Sequence, residues 1–503
     1  MELFAGNVSD SDKVFLNFMK TTDNVLGDTT APAKLRHQVL QLAITFACGI
    51  NQLSPRAYLL RRNLVPAITS MINSPDTQAF TFEAVFLLAI VANFHKSDAA
   101  KLNPYLRSLK DLDDVAVMKT ICWSANFALY RVIKAYQDIS DDSPPTFATS
   151  VGSLFASLRP DRALSSTPID PPRELFKNQP IQASVILLPL YEFVHLNDIF
   201  ATVLVESILS PPGDIKATNS SSRLPLPHTV LTISSYILTH ASSVSSRRAV
   251  AYANLCLHIL LVAAENDVIL SAFSQAQKSP SPVRLCRQRL PLLPILPPAH
   301  PLTCALLDCC VLWLKHNLHK RLEVHSYIIC IWIVHRVIYF LCKTKSRLEY
   351  HWQELWRALL VLLDFLTNKL DGIDSRDGAD RLVQETVVLI DFALCHAEAF
   401  LESPQAVHQF IYEVVRASST LQKQKVSLQR SSMTGAARTS QNSRLLSMAF
   451  EALKSTTAIA AHYEEKIQAS KGSSAAAVLR IIAKDVDRDG VHGGKDRLED
   501  DLM

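Results

Sequence analysis

The sequence predicts an all-α protein: an armadillo/HEAT-like helical-repeat solenoid interrupted by several disordered or Pro-rich excursions. Three observations lead there. Twelve glycines in 503 residues is about 2%, against an average near 7%. Tight hairpins and phosphate-cradling loops both use glycine, so the shortage disfavours an all-β fold and dinucleotide or P-loop enzymes. The 25 prolines cluster at 144–145, 160–180, 211–227 and 280–301, where they punctuate helical blocks. Between the clusters run helix-sized apolar-periodic segments joined by short polar breaks.

The first block reads as helices over 33–53, 55–72, 77–94 and 113–136. Ser54-Pro55 supplies an N-cap with proline at the first helical position. Phe82, Val85, Phe86, Ala89, Ile90 and Asn93 follow the i, i+3, i+4 rule, and Leu87, Leu88 and Val91 widen the stripe for a helix packed on two sides. The second block runs 181–209, 229–240 and 245–264, with Pro189 expected to kink its first helix. The third covers 302–320, 322–342, 350–370 and 381–400, and the last 405–421, 445–469 and 474–483. Helices of this length on short connections become antiparallel neighbours and stack into a superhelix. The expected organisation is N-terminal repeats over 1–139, a Ser/Pro-rich linker over 140–180 and central repeats over 181–272. A basic Pro-rich loop over 273–301, C-terminal repeats over 302–416, a basic polar loop over 417–444 and terminal helices with a charged tail over 445–503 follow.

A hydrophobic content of 48% excludes global disorder, and a net charge of +4 predicts no nucleic-acid stripe. The ten cysteines lack framework spacing and read as reduced, mostly buried thiols of a cytosolic protein. The first fifteen residues have neither a basic run nor an apolar core, so no secretory signal is expected. The longest strongly apolar run, 328–342, is interrupted by His335 and Arg336. It falls short of the roughly 20 residues that span a bilayer, and a buried solenoid helix is expected there.

Constellations that carry chemistry are scarce. No nucleophile-elbow, Walker, HExxH or CxxC pattern occurs. Cys309, Cys310, His316 and His319 come nearest to a metal set, but adjacent cysteines point about 100° apart on a helix, so packed thiols and no metal or cofactor are expected. His195 lies three residues after Glu192, which places the two within reach of each other as an acid–base pair. The alternative is a polar layer between helices, with Asn197 capping a turn. Trp352 and Trp356 share one helix face at i, i+4 and read as inter-helix packing or, alternatively, as an aromatic partner hot spot.

Two segments suggest membranes or partners. As a helix, 147–158 aligns Phe147, Val151, Leu154, Phe155 and Leu158 opposite an uncharged Ser/Thr/Gly face, the pattern of a lipid-packing sensor. The alternative is a helix folded back onto the solenoid. The loop beginning at Phe273 carries Lys278, Arg284, Arg287 and Arg289 without an acidic residue and is a candidate partner loop. The basic stretch 417–444 (Lys423, Lys425, Arg430, Arg438, Arg444) reads as a solvated loop, with anionic headgroups as an alternative contact.

Several of these residues together resemble one family. Tyr191-Glu192-Phe193-Val194-His195-Leu196-Asn197, Phe200–Leu204, Pro301–Asp308 and above all Tyr350–Leu366, with Trp352, Glu354 and Trp356, are similar to the armadillo-like helical domain-containing protein 3 family. Asn93 and Ser150–Phe155 fit as well. Pro189 and the divergent 273–301 segment depart from the pattern. The resemblance implies a non-enzymatic cytosolic scaffold, peripheral on Golgi membranes. It also implies links to a phosphatidylinositol 4-kinase and an Arf guanine-nucleotide exchange factor, in support of Golgi maintenance and secretion. An integral membrane protein is the alternative. A nuclear-transport-like adaptor would need a ladder of Asn and Trp that the sequence does not show.

Overall fold

A computed structural model describes residues 10–49, 58–94, 103–142, 170–209, 224–244, 246–275, 283–297, 299–319, 322–369, 376–433, 440–470 and 474–490. Among them the secondary structure is helical, with one isolated bridge between Leu348 and Leu401. The helices are α1 Ser11–Gly27, α2 Ala33–Gly49, α3 Val65–Asn73, α4 Thr81–Ala92, α5 Pro104–Lys110 and α6 Val115–Gln137. Then come α7 Leu187–Leu196, α8 Asp198–Leu209, α9 Leu226–His240, α10 Arg247–Glu265 and α11 Asp267–Phe273. The C-terminal part holds α12 Leu302–His316, α13 Val324–Thr344, α14 Trp352–Lys369, α15 Arg376–Cys395 and α16 Ala397–Phe400. It ends with α17 Pro404–Arg416, α18 Ser418–Met433, α19 Ser440–Ser470 and α20 Ala475–Asp489.

The packing order is that of a solenoid. One layer runs α1, α3, α6, α9, α12, α14, α17, α20, each helix packed on the next. The second runs α2, α4, α7, α10, α13, α15, α19 in the same manner. No single helix pair could bury its apolar face alone. Stacking gives each helix neighbours before and behind it and yields one continuous core. Side-chain caps mark many helix starts. Asp114 accepts from the N–H groups of Ala116 (2.9 Å) and Val117 (3.2 Å) ahead of α6. Asn103 caps α5 before Pro104 and donates to the carbonyls of Val91 and Phe94 (2.9 and 3.1 Å), so one side chain closes α4 and opens α5.

Five expectations need correction. The helix expected over 55–72 breaks at 61–64. There Asn63 Oδ1 accepts from Val65 N–H (3.1 Å), and Pro66 sits in the first turn of α3, having no N–H to continue the preceding turn. Pro189 does not kink a long helix. It lies in the first turn of α7, where its missing N–H is unneeded. The break comes instead at Asn197, across which the two helical segments bend by 110°. Helix α9 begins at Leu226 rather than at 229, inside the 211–227 proline cluster, because Pro225 and Pro227 suit a helix start. The 417–444 stretch is not a loop throughout: 418–433 form α18, which packs on α14 and α19. Its buried Leu421, Gln424 and Leu428 lie at helical spacing, and Gln424 donates to Leu363 O at 3.0 Å. Residues 283–297, finally, form no helix, as expected of a loop, but they are not free. All fifteen residues of α9 are buried, and this segment helps cover that helix: Cys286 N–H donates to Ser235 Oγ at 2.8 Å.

The apolar run at 328–342 sits inside the longer α13, and α13 and α10 are each long and apolar enough to cross a membrane. In the fold, 67% of the apolar window of α13 and 44% of that of α10 are buried within the protein.

Candidate functional surfaces and the buried polar ladder

Polar groups tie successive repeats together at the positions singled out in the sequence. Glu192 is buried on α7 and accepts from Asn93 Nδ2 at 2.8 Å, a contact that crosses from α7 to the end of α4. His195 is exposed, stacked on Tyr191 with ring centroids 5.5 Å apart. Glu192 and His195 therefore serve different environments. Asn197 fulfils the capping role: its Oδ1 accepts from Phe200 N–H at 2.8 Å. Its Nδ2 donates to the carbonyls of Leu109 and Leu112 at 2.8 and 2.7 Å, closing the end of α5.

A second rung lies between α12 and α14. Asp308 is fully buried and accepts from Tyr350 O–H (2.7 Å) and His351 Nε2 (2.6 Å). Burial raises its carboxyl above the ordinary value, against the pull of the His351 and Tyr350 contacts. Trp352 Nε1 donates to Leu348 O at 3.0 Å. Trp352 stacks on Trp356 (5.5 Å, 12°), and Trp356 on Phe410 of α17 (4.0 Å, 15°). Both tryptophans are buried, so they serve as inter-helix packing. Glu354 pairs with Lys315 on α12. Glu413 on α17 collects Gln353 (3.0 Å), Arg357 (3.1 Å) and Arg416 (3.1 Å).

The candidate partner loop is likewise turned inward. Phe273 is buried in α11. Arg284 binds Asp142 at 2.5 Å, and Arg287 N–H donates to the same carboxylate at 2.9 Å. The Arg287 guanidinium donates to Leu293 O at 2.7 Å, and that of Arg289 to Thr239 O and His316 O at 3.2 and 2.9 Å. Cys309 donates to Leu231 O at 3.5 Å inside the core. Burial pushes the thiols of Cys256 and Cys286 up to about 12, and holds His240 at about 3 and His316 at about 4. Among the described residues no group of three His, Cys, Asp or Glu side chains is placed to hold a metal ion. The amphipathic segment with Phe147, Val151, Leu154, Phe155 and Leu158 lies outside the described residues, as does Arg438.

One surface went unnoticed in the sequence. On α6, Trp123, Phe127 and Tyr130 are 57%, 40% and 56% exposed. Trp123 and Phe127 stack at 6.1 Å. The signal was available. The core face of α6 is already supplied by Val117, Ile121, Ala125, Leu129 and Val132, so aromatics two positions further on fall about 200° away, on the opposite side.

Two stacked layers of helices, locked by side chains that reach from one repeat to the next, define an α-solenoid of armadillo-like helical repeats. Within that class the resemblance read from the sequence stands: residues 300–489 match the family model for the C-terminal part of armadillo-like helical domain-containing protein 3. The chain is 26% identical over 437 residues to the protein of that name from Danio rerio, 79% of this chain and 60% of the relative. It is 27% identical over 436 residues to that from Homo sapiens, 80% of this chain and 61% of the relative. A UPF0588 membrane protein of Schizosaccharomyces pombe is 26% identical over 341 residues, 67% of this chain and 53% of the relative. The chain thus spans about 60% of the length of the first of these relatives. No solved structure matches it significantly.

Proposed function

We propose that the chain is a non-enzymatic scaffold that works peripherally on the cytoplasmic face of Golgi membranes. There it gathers a phosphatidylinositol 4-kinase and an Arf exchange factor in support of secretion. The observation that carries this is the fate of the polar side chains: Glu192, Asp308, His351 and Glu413 are spent on contacts between repeats. The outer faces of two helical layers are left as the molecule's working surface. Kinase and exchange factor come from the family resemblance and are tested by capture: a tagged chain enriches both from cytosol. Enrichment of neither counts against the proposal.

A second reading, an integral membrane protein, is favoured by two features. Helices α10 and α13 are long and apolar enough to span, and the Schizosaccharomyces pombe relative is named a membrane protein. We favour the peripheral one because α13 packs between α10 and α15. Inserting it in a bilayer would strip both neighbours of apolar cover, at about 25 cal/mol per Å² exposed to water. Alkaline carbonate extraction separates the two: a peripheral chain is released, an integral one stays in the pellet.

A further inference from the structure

Helix α6 carries more than exposed aromatics. Lys119, Trp123, Phe127, Tyr130 and Lys134 follow one another at three- and four-residue steps, so they share one face, with Arg131 beside them. All six are exposed. From Lys119 to Lys134 the stripe runs about 22 Å along a single helix at 1.5 Å per residue. No acidic residue lies between Val115 and Gln137. Lys119 is neutralised by Glu206 of the neighbouring α8 at 3.6 Å, whereas Arg131 and Lys134 make no ion pair among the described residues.

We propose that this face of α6 is a membrane-docking surface that lies flat on an anionic lipid leaflet. Trp and Tyr settle at the headgroup level, where the ring body is sheltered from water and the polar tip stays wet. Arg131 and Lys134 on the same face supply the attraction to lipid phosphates and carboxylates that apolar insertion alone lacks. The composition of the stripe is complementary to that interface in both respects, apolar and cationic. A protein hot spot also favours Trp, Tyr and Arg, but its anchors sit in well-packed, desolvated pockets. Here the rings stand exposed along one face of a single helix rather than in a pocket. The proposal rests on the peripheral-scaffold reading and gives it a contact with lipid that does not depend on any protein partner.

The test uses the full chain and vesicles of phosphatidylcholine with or without phosphatidylserine. Sedimentation with the anionic vesicles is expected, weakening as salt is raised. The double variants W123A/Y130A and R131E/K134E are each expected to weaken it about tenfold without moving the melting temperature. Brominated lipids are expected to quench part of the tryptophan emission of the wild type, and Trp123→Phe to abolish that quenching. A wild-type chain that ignores anionic vesicles overturns the proposal, as does binding that neither double variant weakens. If vesicles are ignored while R131E/K134E loses capture of a protein, α6 is a protein-docking face. If the kinase and exchange factor are still captured without vesicle binding, the scaffold reading survives and only the lipid contact falls.

Discussion

Helices α6 and α14 belong to the same layer and carry the same device, a pair of large aromatics at i, i+4. Their fates are opposite. Trp352 and Trp356 on α14 are stacked, sealed by Phe400 and Phe410 and almost fully buried. Trp123 and Phe127 on α6 are also stacked, yet over half of Trp123 is exposed. Spacing along a helix fixes which side chains share a face. It does not fix what the neighbouring elements place over that face. The face of α14 with the tryptophans meets α17, itself backed by α20. The core is met by a different stripe of α6, and Trp123, Phe127 and Tyr130 lie outside that stripe, each well exposed. Exposed apolar surface of this kind marks interaction sites more often than stability.

The comparison breaks most sharply at Trp356. Truncation to alanine removes a buried ring stacked on Phe410 and leaves a cavity between repeats, a change that costs about 3–5 kcal/mol. Denaturant unfolding measures it. A cost near zero would mean that the α14 pair, too, is superfluous to the core.

Acid should act on the buried regions and spare the exposed face. Burial holds His240 at about 3, and His316 and His335 at about 4, against an ordinary 6.5. Each is neutral in the folded chain and takes up a proton on unfolding. Their depressed values therefore contribute stability that is intact above pH 6.5 and is lost as the pH falls from 6.5 toward 4. The loss is roughly 2 kcal/mol per histidine at pH 5. Melting temperature followed between pH 7 and 5 shows the decline. Replacing His240 and His316 together with glutamine flattens it, and an unchanged slope would refute the assignment.

How much of this could be read beforehand follows from where the information lies. Most layer helices were legible because each repeats an apolar stripe that only stacking can bury, although α1 was not among the expected helices; the polar-layer role of Glu192 and the capping role of Asn197 followed from local spacing. The course of 283–297 was not legible. Its order comes from hydrogen bonds to Ser235, Asp142 and Thr239, residues distant in sequence. Helix α18 was missed for a related reason: among its described side chains the buried side carries only Leu421 and Leu428 as large apolar groups, and Gln424 completes it by bonding to the α14 backbone. The break at Asn197 is tied to carbonyls at and just beyond the end of α5, Leu109 and Leu112, that no local pattern announces.

That junction gives an intermediate effect. Asn197→Ala leaves the carbonyls of Leu109 and Leu112 and the N–H of Phe200 without their side-chain partner. A buried capping site of this kind is worth about 1–3 kcal/mol. Asn197→Asp, which keeps the acceptor for Phe200 and loses both donors, separates the two halves of the role. If the aspartate variant is as stable as the wild type, the link to α5 contributes nothing.

The smallest effect on stability belongs to Trp123, and it is the one that keeps the two aromatic pairs distinct. Trp123→Ala removes a ring from a surface that packing does not need, so unfolding should shift by no more than about 0.5 kcal/mol. The optical change should be large by contrast. Trp313, Trp352 and Trp356 are buried and Trp332 is half-covered, which leaves Trp123 as the most accessible of the five. Acrylamide should quench its emission preferentially, and the alanine variant should lose that quenchable, red-shifted component while melting as before. A loss of 2 kcal/mol or more, on the scale of a core truncation, would mean that this face is closed by the protein itself, and the contrast with α14 would disappear.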